Sequence, residues 1–214
     1  MNVWRLIVKD LRVQKYMFLV ALFFAFVNMV LTKMNQLVTI VILAYMLITS
    51  SIQYDEKQRT SVLLNCLPIT RRSFVASKYL SIFLYTLISV VMVFLVNLAA
   101  LLIARFGFNY NPFTLSLFTM QDVFWALVCI MVLAALFFPI ALTFDWNMMQ
   151  YLLFVVLAVG GTGLFLFANW VKSLDWPLTG SPFALQAAVI VFAALALLYG
   201  SYRVSLFLYQ KKDF

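Results

Sequence analysis

The stretch YLSIFLYTLISVVMVFLVNLAALLI, Tyr79–Ile103, runs for 25 residues without a charge, with Lys78 in front of it and Arg105 just behind. About 20 mainly apolar residues in helical conformation cross the hydrocarbon core of a bilayer, so this stretch is long enough to span one with some tilt. It lacks proline and glycine, and its polar groups (Thr86, Ser89, Asn97) are few enough to be absorbed by helix contacts. A soluble fold cannot bury such a segment on all sides in so small a chain. The solvent for this part of the protein is therefore lipid.

Working outward, five further apolar stretches share this character: Tyr16–Thr32, Met34–Ile52, Val123–Thr143, Tyr151–Ala168 and Phe183–Tyr202. Of the 214 residues, 66% are hydrophobic and 10% charged, and the mean hydropathy is +1.04. Soluble domains run at about 45–50% apolar and about 25% charged. The expected fold is an all-α membrane protein with six transmembrane helices and both termini cytoplasmic, one transmembrane domain over residues 1–214 with no room for a nucleotide-binding domain. The first span is short, and only Lys33 with a few polar neighbours separates it from the second, which fits a tight hairpin with a snorkelling lysine. Pro139 interrupts the fourth span, and Gly160, Gly161 and Gly163 form a small-residue notch in the fifth.

Charge placement orients the chain. The two ends and the segment between spans two and three hold twelve of the fifteen lysines and arginines, leaving Lys33, Arg105 and Lys172 opposite. The positive-inside rule then puts both ends in the cytoplasm. The outer segments, roughly 104–122 and 169–182, carry Phe106, Phe108, Tyr110, Trp170 and Trp176, as membrane interfaces do. In residues 1–15, helical periodicity sets Val3, Trp4, Ile7 and Leu11 on one side and Arg5, Lys9 and Arg12 on the other. An interfacial helix on anionic headgroups is expected there. No small-residue cleavage site follows it, so it is not read as a cleaved signal. Although the net charge is +8, the cations punctuate apolar runs instead of forming a stripe, which argues against a nucleic-acid partner.

Several chemistries lack their residues. With no histidine, no His-based triad or zincin motif is possible, and no Gly-x-x-x-x-Gly-Lys-Ser/Thr segment cradles ATP. Cys66 and Cys129 suggest neither a disulfide framework nor a metal site. No carboxylate lies in the middle of a span, where a proton relay would need one. Catalytic and metal-ligating residues are thus expected to be none. The chain either transports passively or is driven by another protein.

The most informative hydrophilic insertion is 53–78. A charged start, Asp55-Glu56-Lys57, gives way to Val62-Leu63-Leu64 and Leu67, ended by Pro68. Thr70 then caps a helix running through Lys78 into span three. A short helix with exposed leucines flanked by cations needs a partner, which on chemistry alone is either the membrane surface or a groove on a soluble protein.

The order Glu56-Lys57, Leu63-Leu64, Leu67-Pro68-Ile69, Arg71-Arg72 and Ser77-Lys78-Tyr79-Leu80 resembles the cytoplasmic loop of ABC-2 family transporter permeases. The tail, Tyr209 to Phe214, looks like the closing segment of that family, and the basic amphipathic N-terminus and six-span plan agree with it. Two features depart from the pattern: Asn65-Cys66 stands where a small residue is expected, and the Asp145–Gln150 link is shorter and less basic than the usual second loop.

The resemblance implies a multi-pass permease subunit of a bacterial ABC exporter in the cytoplasmic membrane. It implies a coupling helix between spans two and three that docks on a separate ABC ATPase. Leu63, Leu64, Leu67 and Pro68 would fill the ATPase groove, with Asp55, Glu56, Lys57, Arg71 and Arg72 around them. The interfacial helix, through Trp4, Ile7 and Leu11, would brace the same joint. The chain itself would be no enzyme and hold no cofactor, ATP and Mg being bound by the ATPase. A second permease copy, or a related chain, and membrane lipid complete the expected partners. The cargo would be amphipathic or hydrophobic (a peptide, lipid or drug-like molecule), antimicrobial peptides being a first guess. Asn28 and Asn97 are the candidate polar groups of a substrate path. The alternative is a scaffold or sensor that docks a cytoplasmic partner through the same loop without moving substrate.

Overall fold

A computed structural model describes residues 3–28, 36–57, 71–107, 120–143, 163, 166 and 181–211. Six helices are described: α1 (Val3–Val13), α2 (Lys15–Val27), α3 (Gln36–Lys57), α4 (Arg71–Gly107), α5 (Met120–Thr143) and α6 (Ser181–Lys211). Among the described residues there is no strand. Four helices are long and apolar enough to cross a membrane, over Gln36–Asp55, Arg72–Ala100, Met120–Ala141 and Ala187–Tyr209. They correspond to the second, third, fourth and sixth stretches read from sequence. The fifth, Tyr151–Ala168, lies outside the described residues except for Gly163 and Leu166.

The helix α3 is the centre of the bundle. Leu37, Ile40, Val41, Leu43, Ala44 and Leu47 are all at or near zero exposure, and α2, α4 and α5 pack around them. An all-round buried helix reads as apolar on every face, as this one does. By contrast, α6 lies at the periphery, packed mainly along α5, with Phe192, Tyr199, Val204 and Phe207 turned outward.

Many large apolar residues face outward, which suits a bundle in lipid, where packing and not water exclusion drives helix association. The 13-residue α2 shows this most clearly: Ala21 and Ala25 are buried, whereas Leu19, Val20, Leu22, Phe23 and Phe26 are exposed. The described helix is about 20 Å long. The connection through Lys33, read as a tight hairpin, lies outside the described residues.

Two sequence expectations shift. The apolar stretch ending at Ile52 continues as helix to Lys57, and α4 starts at Arg71, next to the expected cap Thr70, while residues 58–70 lie outside the described residues. Nothing in Gln53–Lys57 breaks a helix, and Asp55 is held by ion pairs there. The second shift concerns α1. Its inward stripe is Leu6, Ile7, Asp10 and Gln14, all buried, whereas Trp4 is 62% exposed. Ile7 and Leu11 of the expected apolar face pack inward, Trp4 faces outward, and Asp10 joins the buried side.

Gln14 is the joint between α1 and α2. Its carbonyl accepts from the amides of Met17 and Phe18, so the backbone bonds pass through the turn. Its side-chain Nε2 donates to the Leu47 carbonyl of α3 at 3.2 Å, which pins the joint to the central helix.

Candidate functional site

The end of the bundle where α3 stops and α4 begins holds a group of buried charges. Lys78 lies about two turns into α4. Its ammonium meets Asp10 Oδ2 of α1 at 2.6 Å, Asp55 Oδ2 of α3, and Ser51 Oγ of α3 at 2.8 Å. Its hydrogen bonds go to Asp10 Oδ2 and Ser51 Oγ, and Asp55 Oδ2 faces it as an ion pair. Ser51 in turn donates to Asp10 Oδ2 at 3.2 Å. Lys9 completes the set, 2.8 Å from Asp55 Oδ1 and 3.4 Å from Asp10 Oδ1.

Two lysines face two carboxylates, so the group is formally neutral. That balance is what makes its burial tolerable, since an isolated buried charge costs several kcal/mol even after relaxation. The burial is graded: Lys78 is 3% exposed, Asp10 6%, Asp55 12% and Lys9 36%. The Phe74 ring lies 5.7 Å from the Lys78 ammonium, within cation–π range.

These bonds tie three helices. Lys78 is at the root of α4, Asp55 is at the end of α3, and those two helix ends bracket residues 58–70. Asp10 and Lys9 bring in α1. Buried between two carboxylates and Ser51, Lys78 is placed to hold these elements in register.

A second polar group sits on the other side of the α4 root. The Tyr79 hydroxyl lies 2.7 Å from both Ser201 Oγ and Ser205 Oγ of α6, and Ser201 Oγ donates to the Ala135 carbonyl of α5 at 2.6 Å. The Tyr79 ring packs on Phe138 at 4.8 Å between centroids and on Tyr202 at 5.4 Å. Neighbouring residues of one helix thus point to two different sets of partners.

A family model described as "ABC-2 family transporter protein" matches residues 5–210, nearly the whole chain. The chain belongs to the ABC-2 transporter family. No curated protein and no solved structure matches it. ABC-2 permeases are membrane transport subunits that are not themselves catalytic, and they normally work with an ABC ATPase.

Of the residues singled out in this ABC-2 protein from its sequence, Asp55 lies in the buried ion group. Glu56 and Lys57 close α3, and Arg71 and Arg72 open α4, with Arg72 exposed. The leucines Leu63, Leu64 and Leu67, with Pro68, lie outside the described residues. On α1, Ile7 is in the core, Leu11 packs against it, and Trp4 stays exposed. Asn28 and Asn97 are both buried. The Asn28 side chain donates to the Phe24 carbonyl one turn back, and Asn97 makes no hydrogen bond among the described residues.

Sequence reasoning passed over Asp10, Ser51 and the pairing of Lys78. The signal was present in α1, where Asp10 and Gln14 share the helical face of Leu6 and Ile7. A carboxylate on the apolar face of an amphipathic helix calls for a buried cation, and nothing in the sequence says that the cation is Lys78.

Proposed function

We propose that this protein is the membrane permease subunit of an ATP-driven exporter, coupled to a separate ATPase through residues 58–70. The observation that carries this reading is the ion group of Asp10, Asp55 and Lys78, which locks α1 to both helices bracketing that segment. A loop that receives force from a soluble partner needs rigid roots, and a charge-balanced buried ion group supplies them. Leu63, Leu64, Leu67 and Pro68 then seat in the ATPase, with Glu56, Lys57, Arg71 and Arg72 as the polar rim. ATP and Mg are held by that partner. Closure of two ATPase subunits turns two permease copies as rigid bodies. The cargo is amphipathic or hydrophobic, which suits a bundle rich in Phe and Met and poor in charge. A peptide is the first candidate.

Purification from native membranes in mild detergent tests this. A stoichiometric soluble subunit with a P-loop, whose ATP turnover rises with amphipathic peptides, is the expected result. A clean homo-oligomer without any ATPase would point instead to a scaffold or sensor.

In this reading six spans place both termini and residues 58–70 in the cytoplasm of a bacterial cell, as the cation distribution supports. Cys66 should then react with an impermeant thiol reagent in inverted vesicles and stay unlabelled in intact cells. Labelling from the outside overturns the orientation.

A further inference from the structure

The helix α5 contains Pro139, four residues before its end at Thr143. In an unbroken α-helix the amide of residue 139 would donate to the carbonyl of Ala135, and proline has no amide hydrogen. Ala135 is buried, at 4% exposure, in a helix long and apolar enough to span lipid, where an unpaired carbonyl is costly. The hydroxyl of Ser201, from α6, fills that vacancy at 2.6 Å.

Counting protons gives the chain a direction. Ser201 has one hydroxyl proton, and it goes to Ala135. In the Tyr79–Ser201 bond Tyr79 must therefore donate, and in the Tyr79–Ser205 bond Ser205 must donate. The bonds run Ser205 to Tyr79 to Ser201 to the Ala135 carbonyl, each hydroxyl polarising the next. Tyr79 also stacks on Phe138, the residue before the proline.

Ser201 spends its proton on the backbone of another helix. Thr49, Ser50, Ser77, Ser81, Thr86 and Ser89 all donate to carbonyls three or four residues back in their own helices. That arrangement is open to any helical serine. Ser201 therefore has a second satisfied position available, back on α6, and can release Ala135 without stranding its own hydroxyl.

We propose that Ser201 is the releasable clasp of a hinge at Pro139, which joins Pro139–Thr143 to the rest of α5 and is read by Tyr79 at the root of α4. Clasped, the end of α5 is continuous with its span; released, it swings about the proline. The use of this hinge in transport rests on the coupling reading above, because Tyr79 follows Lys78 directly and a shift of the α4 root displaces both.

Hydrogen exchange of the segment 136–143, measured on the protein in lipid nanodiscs, tests the clasp without any partner. Ser201→Ala should raise the exchange rate of that segment about tenfold, the effect of losing one buried hydrogen bond, while Ser201→Thr keeps the wild-type rate. Pro139→Ala restores the backbone bond, so Ser201→Ala added to it should change nothing. The hinge is overturned if Ser201→Ala leaves exchange unaltered, or raises it equally beside Pro139→Ala. A second arm adds the co-purifying ATPase with ATP and Mg, which should raise exchange in the wild type and not in Pro139→Ala. If ATP moves the two alike, the hinge has no part in the cycle. If no ATPase co-purifies, the transport reading falls while the first arm still decides the clasp.

Discussion

Replacing Lys78 with methionine lowers the stability of the folded protein by about 3–5 kcal/mol, the usual cost of leaving a buried charge without its partner. Methionine matches the length of the lysine stem, so the loss is mainly electrostatic. Two carboxylates, Asp10 and Asp55, are left facing each other with only Lys9, itself 36% exposed, to balance them. Lys9→Met, at the wet edge of the same group, should cost about 1 kcal/mol or less, as partly exposed pairs do. The informative variant is the triple one: Lys78→Met with Asp10→Asn and Asp55→Asn removes all three of these charges and should recover most of the loss. Thermal denaturation in a single detergent, followed by the fraction that stays monodisperse, measures all three. Equal losses for Lys9→Met and Lys78→Met would mean that water screens the group and that it fixes nothing.

The second large effect falls on the partner instead of the fold. Leu64→Glu should leave the protein inserted and as stable as the wild type, yet abolish capture of the ATPase. In the proposed complex Leu64 is a central apolar contact, and such positions carry most of the binding energy. A carboxylate there must be desolvated without a matching cation, which costs several kcal/mol. Pull-down from membranes with matched permease levels gives the result. Normal capture by Leu64→Glu would remove the coupling assignment from residues 58–70. The two variants also separate two failures: Lys78→Met acts on the root of the loop through stability, Leu64→Glu on its tip without it.

What could be read in the sequence follows from the range of each interaction. The four long helices were legible because length and hydropathy are local quantities, and Tyr79–Ile103 alone sufficed to set lipid as the solvent. Of the first stretch the described helix covers Lys15–Val27, and its character lies in the alternation of buried Ala21 and Ala25 with outward Leu and Phe. The end of α3 was drawn five residues early, since polar Gln53–Lys57 looks like loop until its carboxylate is known to be paired. The ion group was the hardest part to see. Asp10 and Lys78 are 68 residues apart in the chain and Lys9 and Asp55 46, and no local pattern links them. Pro139 was visible as an interruption, while the hydroxyl that repairs it comes from Ser201, 66 residues from the carbonyl it caps.

One dimension of the bundle carries a mechanical consequence. The helix α4 runs unbroken for 37 residues, with neither proline nor glycine before its terminal Gly107. At 1.5 Å per residue it is about 55 Å long, against about 30 Å of hydrocarbon to cross. It is a stiff rod that overhangs the membrane, anchored at one end by Lys78 and free of joints along its length. A small tilt imposed near Arg71 is geared up into a larger excursion at the far end, where the rod emerges toward residues 108–119. Stiffness in α4 and compliance at Pro139 in α5 make the two neighbours respond unequally to the same push, and that inequality can open a cleft between them.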